Sequence, residues 1–270
     1  MLPEVGWPAV LRADILREWN ELEAAHALAE EAISHASLNF VLCAYAVLVR
    51  ICLSRGDYDA AHSALEQFEG IGMRMNQHIY LHIRSLFTTV DQARLWLACG
   101  ELDRAMRWVG ELNLKERHST SFACEREEVA CARILLATAQ PAPALQRLEP
   151  VLERATVSQR WDHVIEIRLL QVLAHQTSQQ EMQALDALSE AVRLAEPESY
   201  IRRFIDEGPP MAALLNRLQE EQRKDGPTPY LDTLLAAFAE QSKTRKRQPK
   251  RVKQRRRRFL PDNQKSSSIS

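Results

Sequence analysis

The fifteen residues "ACGELDRAMRWVGEL" (98–112) decide the fold. Gly100 breaks an apolar rhythm, and a small residue, Ala105, follows five positions later. Before the break, Leu86, Val90, Ala93 and Leu97 lie at i, i+4, i+7 and i+11. After it, Leu102, Ala105, Met106 and Val109 lie at i, i+3, i+4 and i+7. Both spacings are those of one face of an α-helix. The stretch therefore reads as a helical hairpin in which glycine takes the left-handed conformation that ends the first helix. The alanine lets the second helix approach the first closely.

The same phrase returns along the chain. "EWNELEAAHALAEEAI" (18–33), "SRGDYDAAHSALEQF" (54–68), "TAQPAPALQRLEPVL" (138–152) and a fainter "SQQEMQALDALSEAV" (178–192) share its plan. With turns at Asn20, Gly56, Gly100, Ala139 and Gln179, an alanine follows five residues on every time: Ala25, Ala61, Ala105, Ala144 and Ala184. The turns are 36, 44, 39 and 40 residues apart, longer than the ~34 of ordinary tetratricopeptide (TPR) repeats. A lone hairpin cannot bury both of its apolar stripes, whereas stacked hairpins can. The prediction is an all-α protein: a right-handed α-solenoid, TPR-like, of about five helical hairpins.

In the fourth copy Pro141 and Pro143 suit a helix start, where an N–H is dispensable. Pro150 falls inside the second helix and predicts a kink or an early stop there. The array spans residues 1–196. Residues 197–240 read as C-terminal capping helices: a short helix in "ESYIRRFIDE", stopped by Gly208 and Pro209, then "MAALLNRLQEEQRK", a turn at "DGPTP" and a last amphipathic helix, "YLDTLLAAFAE" (230–240). Tyr200 and Phe204 are expected to close the apolar end of the solenoid. Glu196, Glu198, Asp206 and Glu207 read as helix punctuation. Residues 241–270 lack an apolar period and read as a disordered basic tail.

The formal net charge of −1 hides a split. Of 35 Lys+Arg and 36 Asp+Glu, 12 bases and one acid lie in 241–270, so the body holds 23 bases and 35 acids. A basic tail can neutralise phosphates without reading sequence; Arg255, Arg256, Arg257 and Arg258 are its candidate nucleic-acid contacts. Solvated disorder, or contact with the acidic body, explains the same run.

The longest apolar run, residues 40–49, is short of the ~20 needed to cross a bilayer. No secretory leader is legible at the start, and a cytoplasmic location is expected. The five cysteines, in apolar helical stretches and without a CxxC, read as reduced core residues. His78 and His82, four apart on a helix, have no third ligand, so no metal and no cofactor is expected. Neither a phosphate loop nor a GxSxG motif occurs, so the chain reads as non-enzymatic. First helices of such hairpins face the concave groove. Their polar residues Arg94, Glu128, Arg133, Glu166 and Arg168 are the candidate contacts for a ligand or partner, or else inter-repeat ion pairs.

Six phrases carry a family resemblance: "REWNELEAA" (17–25), "RGDYDAA" (55–61), "GELDRAMRW" (100–108), "EREEVACARILLA" (125–137), "VIEIRLLQVLA" (164–174) and "LAEPESYIRRFIDEGPPMAALL" (194–215). Over about residues 5–240 the chain resembles the helical-repeat region of MalT-like, large ATP-binding LuxR-type transcriptional regulators. In that family a nucleotide-binding ATPase module precedes the superhelix and a LuxR-type helix-turn-helix follows it. The resemblance implies a sensor superhelix that receives a small-molecule inducer or a protein or peptide in its groove, biasing self-association and transcription regulation. It further implies a truncated form without the ATPase or DNA-binding domain, since residues 241–270 lack the two helices in register that such a domain needs. The alternative is a stand-alone TPR-like adaptor whose basic tail contacts nucleic acid or an acidic partner.

Overall fold

The computed structural model describes residues 6–35, 38–113, 121–223 and 226–247, less the side chains of 38, 39, 79, 82, 85, 86, 113 and 244–247. Fourteen α-helices and no strand occur among the described residues: α1 (Gly6–Glu18), α2 (Leu22–His35), α3 (Leu38–Arg55), α4 (Tyr58–Gly72), α5 (Gln77–Phe87), α6 (Thr89–Cys99), α7 (Leu102–Asn113), α8 (Phe122–Ala137), α9 (Pro141–Val157), α10 (Trp161–Thr177), α11 (Glu181–Ala195), α12 (Arg202–Ile205), α13 (Pro209–Gln222) and α14 (Pro229–Arg247). The first eleven form five stacked hairpins whose first helices, α1, α3, α6, α8 and α10, also touch one another in succession. That inner row gives the solenoid its concave wall.

Each hairpin turn follows from one local device. Asn20, Gly56, Gly100, Ala139 and Gln179 all have positive φ, between 56° and 76°. The amide after each reaches back to close the helix end, as in Glu101 N–H to Trp96 O at 2.8 Å and Gln140 N–H to Leu135 O at 2.9 Å. This is the Schellman closure, which needs a left-handed residue but not a glycine. Its alanines Ala25, Ala61, Ala105, Ala144 and Ala184 are all fully buried. The link from α9 to α10 uses the same device at Gln159, a turn that carries no glycine signal.

Three expectations about helices are corrected. The first helix of the third hairpin is not continuous: it breaks at Thr88, whose hydroxyl donates to Arg84 O at 3.0 Å. Such back-bonding competes with the helix ladder, and the extra bend absorbs part of the 44-residue step. Of the kink or early stop expected at Pro150, the early stop does not occur, since α9 runs through it without ending. Both Pro150 and Gln146, whose carbonyl loses its amide partner, are exposed residues, and an orphan helix carbonyl at the surface can be satisfied by water. Replacing Pro150 with alanine is expected to stabilise the protein by about 1–3 kcal/mol, read as a raised Tm in a calorimetric scan; an unchanged Tm would contradict this. Finally, α14 extends to Arg247 rather than stopping near 240, because no glycine or proline intervenes before Pro249.

The core is a series of clusters between hairpins. The largest at the C-terminal end joins Ile165 and Leu169 of α10, Leu188 of α11, Phe204, Met211 of α13 and Leu234 of α14. Cys43, Cys52 and Cys131 are buried as expected, but Cys99 is exposed and Cys124 half-buried. Both of these sit at helix ends, where the apolar stripe has run out.

Candidate functional site

The superhelix closes on itself. After α11 a 3-10 turn, Glu196–Glu198, delivers residues 199–208 back across the concave wall, and this strap meets the first helix of the array. Ile201 N–H donates to Glu18 O at 2.9 Å, and Trp19 Nε1–H donates to Glu198 O at 3.0 Å. Arg202 lies 2% exposed and donates to Asn20 Oδ1 (3.0 Å), Ser54 O (2.5 Å) and Asp206 Oδ1 (2.6 Å). Phe204 and Ile205 point the other way into the C-terminal core. The charges of the strap are thus buried contacts, not helix punctuation. Asp206 and Glu207 are corrected on this point, since guanidiniums on the wall compensate them.

A cavity of ≈ 220 Å³ lies beneath the strap. Every first helix contributes: Asp14, Arg17 and Glu18 from α1, Arg50 from α3, Asp91 and Arg94 from α6, Arg126 from α8 and Glu166 from α10, with Arg203, Asp206 and Glu207 from the strap. Phe87, Val90, Phe122 and Leu169 supply its apolar patches. Alternating charges bind this ring together. Arg50 reaches Asp14 at 2.7 Å, Arg126 reaches Glu166 at 2.6 Å, and Glu207 spans Arg94 and Arg133 at 2.8 Å each.

Burial raises the cost of each ionised carboxylate, and the arginines decide which can bear it. Burial pushes Asp14, Glu166 and Asp206 up, but their guanidinium neighbours outweigh it and hold all three below the ordinary value. Asp91 is the exception: burial raises it despite Arg50 and Arg94, and its Oδ2 has no hydrogen-bond partner. Arg133 Nη2 likewise has none. Each has only a longer ion-pair neighbour, Arg50 Nε at 3.5 Å from Asp91 Oδ2 and Glu166 Oε1 at 3.6 Å from Arg133 Nη2.

Beside the cavity, His163 is 1% exposed, lies edge-on to Phe122 and has no hydrogen bond at either ring nitrogen. Burial pushes its pKa down to about 4, although Glu125 and Glu166 stand 3.9 and 4.0 Å away. A folded pKa below the unfolded ~6.5 means a contribution that is complete above pH 6.5 and lost as pH falls through 4, worth about 3 kcal/mol at most. Asp14, Glu166 and Asp206 lose theirs in the same direction but at lower pH, while Asp91 works against them. Acid destabilisation is therefore expected to begin near pH 6, with the His163 ring signal in NMR titrating below pH 5. A midpoint near 6.5 in the folded protein would refute the burial argument.

Of the five groove residues expected from sequence, Arg94 and Glu166 line the cavity, and Arg133 pairs with Glu166 and Glu207 of that lining without lining it itself. Glu128 pairs with Arg147 across α8 and α9 at 2.6 Å, and Arg168 with Glu190 across α10 and α11 at 2.7 Å; neither lines the cavity. Asp14, Arg17, Arg50, Asp91, Arg126 and the strap residues escaped the sequence reading. A charged residue on the inner face of a first helix is the only local signal for them. Arg255 to Arg258 and the His82 side chain lie outside the described residues, and no metal-binding group occurs among the described ones. None of the described helices is long and apolar enough to cross a membrane.

A family model described as the MalT-like TPR region matches residues 1–221. The chain belongs to the MalT-like TPR family. Relatives include the HTH-type transcriptional regulators MalT of Klebsiella pneumoniae, 27% identical over 214 residues, and of Vibrio cholerae, 25% identical over 223 residues. In both cases the match covers 77% of this chain and 23% of the relative, so the chain spans about a quarter of the length of these regulators. The match runs through the strap and ends one residue short of the end of α13.

Proposed function

We propose that this MalT-like TPR chain is the ligand-receiving superhelix of a transcriptional regulator, with the cavity under the strap as its receptor site. One observation carries the reading: five successive first helices and the strap all contribute side chains to one charged cavity. Asp91, which lines the cavity and whose Oδ2 makes no hydrogen bond, supplies orientation for a small polar inducer. Arg94 and Glu166 fix the walls they project from. The ATPase and DNA-binding functions of a whole regulator would belong to other segments or other chains.

Thermal-shift screening of the full chain against small polar metabolites tests this. A true ligand at 100 times its Kd is expected to add about 2.7 kcal/mol of stability. Asp91→Leu, which replaces that carboxylate with an apolar branch, is expected to abolish the shift. A ligand-induced shift that persists in that variant would move the site elsewhere.

A second reading, docking of a protein partner, draws on a separate feature. Trp7, Leu11 and Ile15 of α1 and Trp19 just after it, at successive i+4 positions, are 36–47% exposed and form an apolar stripe of the kind that marks protein contacts. Loss of partner capture on Leu11→Glu, with ligand binding intact, would separate the two.

A further inference from the structure

Arg94 makes two ion pairs, and both go to the strap: Nη2 to Glu207 Oε1 at 2.8 Å and Nη1 to Asp206 Oδ2 at 3.6 Å. Arg133 Nη1 holds the other oxygen of Glu207 at 2.8 Å, while its nearest wall carboxylate, Glu166, stands 3.6 Å from Nη2. One buried carboxylate thus spans two guanidiniums from different helices, one oxygen to each. That is the arrangement by which arginines grip a carboxylate or phosphate ligand. Glu207 also lines the cavity.

The strap is anchored upstream of this contact. Phe204 and Ile205 are fully buried, and Arg202 ties Asp206 to α3 through Ser54. Downstream stands Gly208 at φ +81°, where a side chain would be strained, and then Pro209 opens α13. A change at Glu207 therefore has one place to go: rotation about Gly208, carried into α13.

We propose that Glu207 is a resident anion, and that a small organic oxyanion entering the cavity displaces its carboxylate from Arg94 and Arg133 and thereby shifts α13. This deepens the receptor reading above and rests on it. One negative charge replaces another between the two arginines, so neither guanidinium is left buried without a counter-charge. The Glu207 carboxylate goes out to solvent by the turn at Gly208. Uncharged polar compounds leave it in place.

The test uses the full chain at fixed ionic strength, with inorganic phosphate and malonate as separate probes in calorimetric titrations. Phosphate binding alone points to phosphorylated ligands, and malonate alone to carboxylates. Glu207→Gln, which keeps the shape but removes the competing charge, is expected to bind the preferred probe about tenfold more tightly or better, because an internal competitor taxes apparent affinity. Arg94→Gln is expected to weaken binding by about tenfold or more. In the unmutated chain, hydrogen exchange of the amides at 206–212 is expected to rise on binding; this readout does not depend on any variant folding. Binding no tighter in Glu207→Gln, or binding with unchanged exchange at 206–212, overturns the proposal. So does failure of both probes, and a metabolite hit that Asp91→Leu abolishes would then leave the receptor reading standing without it.

Discussion

Replacing Phe204 with alanine is expected to lower the unfolding free energy by about 3–5 kcal/mol, and so to drop Tm by roughly 2–4 °C for each kcal/mol. Phe204 is fully buried and packs edge-on against Tyr230, with ring centroids 6.3 Å apart. Tyr230 in turn donates its hydroxyl to Tyr200 O. The ring fills a gap bounded by α11, α13 and α14, and neighbours on three helices cannot all collapse into it. The same variant is expected to loosen the closure of the superhelix, because Phe204 is the apolar anchor of the strap whose Ile201 amide bonds Glu18 O. Faster hydrogen exchange at Ile201, alongside the calorimetric loss, is the expected signature. A loss below about 1 kcal/mol would show that the strap lies on the core without belonging to it.

Glu166→Ala is expected to cost a similar amount, about 3–5 kcal/mol, for an electrostatic reason. The Glu166 side chain is 8% exposed and faces Arg126 at 2.6 Å, Arg133 at 3.6 Å and Arg203 at 3.8 Å. Its carboxyl is held well below the ordinary range by those arginines against the opposing effect of burial. Deleting it leaves three guanidiniums sharing fewer counter-charges in a poorly solvated place. The size of that loss reports an uncompensated charge, not the net worth of the pair. Glu166→Leu combined with Arg126→Met should therefore recover much of the stability, since apolar residues of similar volume often replace a buried pair at little cost. Urea melts of the two singles and the double close the cycle. A double variant as unstable as the sum of the singles would refute the charge argument and point to packing instead.

The hairpin array was legible because its determinants are local. A left-handed turn residue and an alanine five positions on specify each hairpin within a dozen residues, and all five alanines are fully buried. Glycine, however, was a poor guide to which turns exist: Asn20, Ala139, Gln159 and Gln179 take positive φ without it. The packed ends of two helices impose that conformation on residues that would not choose it alone. The break at Thr88 was hidden for the opposite reason. Apolar spacing runs straight through it, and the hydroxyl that competes with the ladder leaves no mark on hydrophobic period.

The site was half legible. Arg94, Arg133 and Glu166 were found because they are charged residues on inner helix faces, and Glu128 and Arg168 fit the same description yet pair outward with Arg147 and Glu190. Sequence spacing fixes the face of a helix only to within about one residue in 3.6, and the difference between inner wall and inter-helix seam is no larger than that.

By itself the sequence determined the five hairpins, their turns, their close-packed alanines and the acidic body, because each is settled by residues that are neighbours along the chain. Only the tertiary structure decided that residues 199–208 cross the superhelix to meet α1, more than 180 positions away in sequence as in the Ile201 to Glu18 contact. Superhelical pitch brings those two ends together, and pitch is the accumulated small rotation of every repeat. No single repeat encodes it, so neither the cavity nor the placement of Glu207 between Arg94 and Arg133 could be read before the repeats were stacked.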